Sequence, residues 1–200
     1  LTRATYDRIA RLYDLLDLPF ERGRYRPLRK ELFDDVRGRV LDAGCGTGRN
    51  FAYYPPSADV TGVDLSPAML ARAAKRRAKL GLSIPLLEMD IRRTSFPDGT
   101  FDFAIASFLF CVLPNDAQPA ALNEIKRVLK PGGEIRLLEY TWSRDPARRR
   151  MQKLWEPWVK WAYGAGFDRE THRFVREAGF RDIEEIFLHA DIIKLIRARR

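Results

Sequence analysis

Hydrophobic positions recur along this chain in two rhythms. Short apolar runs at 39–43, 59–64, 85–89, 101–107 and 134–140 read as strands, while 47–53, 67–80 and 116–129 between them read as helices. That alternation predicts a parallel sheet with helices on both faces. Ser66-Pro67 supplies an N-cap hydroxyl followed by proline in the first turn, and Gly81 suits the end of the same helix. Ahead of this core, Tyr6, Ile9, Ala10, Tyr13 and Leu16 stand at helical spacing, which predicts an amphipathic helix over 5–17, and a second helix spans Pro27 to Val36. Behind it, 146–163 reads as a helix carrying three of the four tryptophans, and Asp168 caps another that runs to Ala178 before Gly179. Two last runs, Ile183 to His189 and Ile192 to Ile196, read as a hairpin.

The chemistry is carried by the turn after the first run. Gly44, Gly46 and Gly48 alternate through Asp42-Ala43-Gly44-Cys45-Gly46-Thr47-Gly48, so the backbone can turn tightly from strand to helix and approach a ligand closely. The helix that follows offers free N–H groups at its start. No Gly-Lys-Ser or Gly-Lys-Thr completes a triphosphate loop, and Gly46 and Gly48 stand too close together for the dinucleotide fingerprint. A smaller cofactor without a pyrophosphate is favoured. Asp64 closes the next strand where ribose hydroxyls are gripped, Asp90 closes the third, and Leu129-Lys130-Pro131-Gly132-Gly133 turns a helix end into a strand.

In LDAGCGTG, GVDLSPAML, the Met89-Asp90 strand end, FDFAIASFLFCVL and LKPGGEIRLLE, the chain resembles the class I methyltransferases that use S-adenosylmethionine, over about residues 38 to 140. The resemblance implies an α/β fold with a doubly wound, mostly parallel seven-stranded sheet and an antiparallel C-terminal hairpin. It places the cofactor's methionine end over Asp42, Gly44, Cys45, Gly46 and Gly48, its ribose at Asp64 beside Leu65 and Met69, and its adenine near Asp90 and Ile91. Ser107 and Phe108 complete that set, and Tyr6 and Tyr13 lid the cofactor's carboxylate end or pack as ordinary helix residues. A doubly wound domain for some other ligand is the bland alternative.

Composition bounds the rest. Two hundred residues at 46% hydrophobic suit one domain: 1–37 as an N-terminal lid and membrane-facing segment, 38–140 as cofactor core, and 141–200 as substrate cap and hairpin. Neither a membrane span nor a signal-peptide layout is legible, and the chain opens at Leu1 without an initiator methionine, so a short leader, trimmed or excluded, is an expectation. Cys45 and Cys111 give no reason to expect a bridge, so a reducing cytoplasm and a monomer are the simplest expectation, and His172 and His189 offer no metal-ligand spacing. The net charge of +9 is uneven: residues 1–40 carry ten basic against seven acidic groups, and 141–200 carry fourteen against nine. An anionic partner on those flanks is implied, or solubility alone.

The flanks also bear on the methyl acceptor. Tyr6 to Asp14 looks like the entry helix of quinone C-methyltransferases and of the related small bacterial phosphatidylethanolamine N-methyltransferases. Phe51 to Pro56, Phe110 to Leu113 and Trp155 through Thr171 look more like the phospholipid enzymes, and are similar also to membrane-associated thiol methyltransferases. An anionic phospholipid surface is therefore the expected partner and peripheral attachment the expected location. Basic residues including Arg29, Arg144, Arg148, Arg149, Arg150 and Lys153 interleave there with Tyr25, Trp142, Trp155, Trp158 and Trp161. Nucleic acid is disfavoured, because Ser107-Phe108-Leu109-Phe110 stands where base-amino methyltransferases carry an Asn/Asp-Pro-Pro-aromatic tetrad. A proton acceptor is expected at the sheet's mouth, at Glu139 or Tyr140, with Tyr25 at a lipid phosphate and His172 as a shuttle. A cofactor-binding regulator without turnover is the non-enzyme alternative.

Overall fold

The computed structural model describes residues 25–200, so the helix expected over 5–17, with Tyr6 and Tyr13, lies outside the described residues. Five strands run parallel: β1 (Gly38–Ala43), β2 (Ala58–Asp64), β3 (Leu86–Glu88), β4 (Phe101–Ser107) and β5 (Leu129–Tyr140). Helix α1 (Arg26–Leu32) precedes them, α2 (Pro67–Lys79) links β2 to β3, and α3 (Gln118–Val128) links β4 to β5. Then come α4 (Pro146–Tyr163), α5 (Thr171–Glu177), β6 (Arg181–His189) and β7 (Ile193–Arg199). The sheet order is β3-β2-β1-β4-β5-β7-β6, with β7 antiparallel to both neighbours. This is the expected Rossmann-like methyltransferase fold, and its order reverses between β1 and β4, where doubly wound sheets open a crevice beyond the strand ends.

Successive side chains of the inner strands leave the sheet on opposite faces, so each strand feeds two cores. Val40, Val60, Ile105 and Leu138 meet Leu28 and Leu32 of α1 on one face. Leu41, Ala104, Ile135 and Leu137 meet Ala121, Leu122, Ile125 and Val128 of α3 on the other. Ser66 caps α2 as its sequence suggests, its hydroxyl accepting the Met69 N–H at 3.2 Å. Among the described residues no helix is long and apolar enough to cross a membrane.

Three expectations are corrected. The segment 47–53 forms turns and a single 3-10 turn at Phe51–Tyr53, because Gly46 and Gly48 hold positive φ angles and Pro55-Pro56 follow at once. The helix expected to reach Val36 stops at Leu32, before Asp35 turns left-handed at φ 57°. The later helix starts not from Asp168 but after Glu170, and Asp168 instead pairs with Arg169 at 3.2 Å. A tertiary bond sets that start: the hydroxyl of Thr171, first residue of α5, donates to Glu139 at 2.8 Å.

Glu139 is thereby buried beneath α5, only 1% exposed, with Lys194 Nζ 3.7 Å from its second oxygen. The same ammonium lies 2.6 Å from Glu185, which in turn stands 3.3 Å from His172 Nδ1. Burial pushes the Glu139 carboxyl up from 4.5 to about 7, against the opposing pull of Lys194 and Thr171. A carboxyl that binds its proton more tightly in the fold stabilises least where it must ionise, so stability from this group falls as pH rises between those two values. Glu139→Gln should therefore match the wild type in urea unfolding at pH 5 and exceed it at pH 8 by about 2 to 3 kcal/mol. An equal difference at both pH values would contradict this reading.

Candidate functional site

β1 ends at Ala43, and the chain must reverse within a few residues to reach β2. Gly44 does so at φ +69°, where an added methyl would also lie 2.9 Å from the Leu109 side chain. At Gly48, φ is +81° and a methyl would sit 2.5 Å from the Phe51 ring. The Cys45 N–H closes onto the Val63 carbonyl and the Gly48 N–H onto the Cys45 carbonyl, both at 2.9 Å. Asp64 at the end of β2 is then fixed by two backbone donors, Gly46 N–H to one carboxylate oxygen and Ser66 N–H to the other, each at 2.9 Å. One carboxylate thus ties the glycine turn to the start of α2.

A cavity of about 720 Å³ opens above this junction, a size that holds a drug-sized ligand. Of the residues expected to bind cofactor, Gly44, Gly46, Asp64, Leu65, Met69, Asp90, Ile91, Ser107 and Phe108 line it. Asp90 is bound by the Arg92 guanidinium at 2.5 Å, a contact that holds its carboxyl below the usual range. Tyr25 and Tyr140 line the wall, whereas Glu139 and His172 are absent from the lining, tied up in the charged cluster beside α5.

Asp42, Cys45 and Gly48 also stand outside the lining, and Asp42 has a different neighbourhood from the one expected of it. It is fully buried and accepts both Asn50 Nδ2 hydrogen bonds, at 3.0 and 3.1 Å, and the Tyr54 hydroxyl. Burial raises its carboxyl to about 6, opposed by Tyr54, Asn50 and the charge of Arg29. Arg29 of α1 reaches across to Asn50 Oδ1 at 2.5 Å and to Ser107 Oγ at 3.1 Å. Only 3% of Arg29 is exposed, so it does not belong to the basic surface it was grouped with. Its charge is spent beneath the glycine turn, linking α1, β1 and β4. Cys45 and Cys111 are unbridged and buried, and burial pushes the Cys111 thiol up to about 12.

The wall beside β4 and β5 is aromatic. Phe108 adopts φ +57°, a conformation that costs a non-glycine residue about 1 kcal/mol or more. That backbone sets its ring 5.0 Å from Tyr25 and 5.1 Å from Tyr140, whose hydroxyls bond to each other. Phe167 stands edge-on to Tyr140 at 5.7 Å. Facing them, α4 contributes Arg148, Met151, Gln152, Trp155, Trp158 and Val159. Sequence reading flagged the tryptophans as surface groups and 141–200 as a substrate cap, but carried no signal of which α4 side chains line the cavity. Asn50 went unnoticed too, since an asparagine after a glycine turn reads as an ordinary turn residue.

These residues fit an adenosyl ligand. Gly46 presents no side chain to the cavity, Asp64 is immobilised at its rim, and Met89 and Ile91 make an apolar slot beside Asp90.

Comparison with known proteins agrees with this geometry. Residues 40–133 match the model of a methyltransferase domain. The chain is 40% identical over 110 residues to a phosphatidylethanolamine N-methyltransferase of Cereibacter sphaeroides, covering 54% of this chain and 53% of that one. It is 35% identical over 142 residues to a demethylmenaquinone methyltransferase of Thermus thermophilus, covering 68% and 64%. The chain thus spans between half and two thirds of the length of these relatives. A crystal structure of an S-adenosylmethionine-dependent methyltransferase from Thermotoga maritima superimposes with a TM-score of 0.74, 22% identity and 99% coverage of both chains, which shows the shared fold. By its glycine turn, its anchored Asp64, its sheet order and these matches, the chain carries a methyltransferase domain over residues 40–133 and has the fold of the S-adenosylmethionine-dependent methyltransferases.

Proposed function

We propose that the chain methylates the amine of phosphatidylethanolamine, and then its mono- and dimethyl products, at a membrane surface. The observation that carries this reading is the cluster of Tyr25, Phe108, Tyr140 and Phe167, in tilted and edge-on contact, that lines the same cavity as Asp64. Electron-rich ring faces attract alkylammonium groups, increasingly so where water is excluded. The Cereibacter sphaeroides relative named for this reaction supports the choice.

When bound, the cofactor supplies a methyl group on a positively charged sulfur. The chain's task is then to hold a nucleophile in line in a dry site. An amine with a pKa near 10 costs about 4 kcal/mol to deprotonate at neutral pH. Desolvation within this largely apolar cavity lowers that cost, because burial disfavours the ammonium. Tyr140 Oη, bonded to Tyr25 Oη, offers a lone pair to an amine N–H and so can turn the amine's own lone pair toward the methyl donor. Asp64 would hold the cofactor's ribose hydroxyls, while Gly46 and Ser66 keep its carboxylate from rotating.

A second reading, C-methylation of a quinone precursor, is favoured by the longer alignment with the Thermus thermophilus enzyme, and the same aromatic wall can stack on a flat ring. Purified protein incubated with methyl-labelled cofactor and a membrane extract should place label in phosphatidylethanolamine derivatives. Label in a quinone would move the acceptor to the second reading, and tight cofactor binding with no labelled product would leave a regulator. Asp64→Ala should weaken adenosylhomocysteine binding about tenfold or more in calorimetry, the loss expected for a charge-assisted hydrogen bond. Unchanged affinity would remove Asp64 from the site.

A further inference from the structure

Helix α4 spans 18 residues, yet only Gln152 and Ala162 are buried. Gln152 pins the helix to the end of β5, accepting the Ser143 N–H at 2.8 Å and donating to the Thr141 carbonyl at 2.9 Å. Asp145 caps its start and Gly164 ends it in the left-handed conformation. Between these anchors the helix displays Met151, Leu154, Trp155, Trp158 and Trp161, five of the eight large hydrophobic side chains that the described residues expose. Leu154 is 75% and Trp161 73% exposed. Their spacing by three and four residues makes them one stripe along the helix, a contiguous apolar surface of the kind that marks an interaction site.

The surrounding charge identifies what this stripe meets. Arg148, Arg149, Arg150, Lys153 and Lys160 share α4 with a single acid, Glu156; Lys160 pairs with it at 2.8 Å and Arg148 pairs with Asp191 at 3.1 Å, which leaves Arg149, Arg150 and Lys153 with no carboxylate partner among the described residues. A second copy docked stripe to stripe would press these cations against each other, whereas anionic headgroups would neutralise them. Tryptophan favours the headgroup level, and an amphipathic helix with basic flanks lies in the plane of the interface. Met151, Trp155 and Trp158 are exposed and also line the cavity, so α4 forms the boundary between the site and the exterior.

We propose that α4 lies in the surface of an anionic bilayer through its Leu154–Trp161 stripe and forms the portal by which a lipid headgroup passes into the cavity. The portal step rests on the phospholipid reading above, while the insertion does not. During transfer Met151, Trp155 and Trp158 flank the headgroup, and the acyl chains stay in the bilayer. Pro157, which has no N–H to offer the Lys153 carbonyl, gives the helix a bend point between its anchored and free halves.

The test mixes the full chain with vesicles of phosphatidylcholine and phosphatidylglycerol whose acyl chains carry bromine. Tryptophan emission should be quenched, and the double variant Leu154→Ser/Trp161→Ser should bind these vesicles about tenfold more weakly, with an unchanged melting temperature. Neither residue lines the cavity, so the variant should keep its turnover of a short-chain phosphatidylethanolamine dissolved as monomers while losing turnover of long-chain phosphatidylethanolamine added to the vesicles. Unaltered vesicle binding by the variant, binding without bromine quenching, or a lipid-free dimer that the variant abolishes would overturn the insertion. Quenching that the variant loses, with no methylation of either lipid, would uphold insertion and defeat the phospholipid reading and its portal.

Discussion

The site depends on two backbone N–H groups converging on one carboxylate. Gly46 and Ser66 come from opposite sides of the β1–β2 junction, and Asp64 accepts both. A side chain at Gly44 or Gly48 would meet Leu109 or Phe51 before the turn could close, so the glycines serve this convergence directly. Ser66 serves it twice, because the residue whose N–H fixes Asp64 also caps α2. The position of the carboxylate is therefore set by backbone on both sides, before any ligand arrives, which is the preorganisation that keeps binding costs low.

Beneath the turn, a second set of polar groups works through burial. Asp42, Asn50 and Arg29 are buried and, with the half-buried Tyr54 and Ser107, satisfy one another, and a cation from α1 offsets the anion of β1. Such a network stabilises little in net terms, but removing one partner strands the others, so it fixes the register of α1 against the sheet. Tyr25, next to α1, reaches Tyr140 at the cavity wall, so the register set by Arg29 also places a wall residue. Glu139 shows the other outcome of burial, a carboxyl directed at Thr171 and Lys194 rather than at the cavity.

Much of the fold was legible because apolar runs of strand length alternate with helical segments, and the glycine turn marks where the sheet begins to bind. α4 matches the predicted 146–163 span, since an aspartate cap, a proline in the first turn and a terminal glycine bound it. The segment 47–53 misled because the sequence shows helix-compatible residues without showing how little chain separates Gly48 from Pro55. Arg29 could not be placed by composition, since a buried arginine and a surface arginine read alike until Asn50 is seen opposite it. The face of α4 that lines the cavity was equally invisible, although 141–200 was expected as a substrate cap, because which face of a helix meets a ligand is decided by its anchors, here Gln152 and Gly164, and not by its periodicity.

In the proposed reading the aromatic wall and α4 choose the acceptor and the glycine turn and Asp64 choose the donor, and residues of both sets line one cavity. The donor half is the claim on which the acceptor readings stand. Titrating adenosylhomocysteine into the full chain in a calorimeter tests it most directly. The account predicts saturable binding of one ligand per chain that S-adenosylmethionine displaces, and the absence of any binding heat together with an unmoved melting temperature would contradict it.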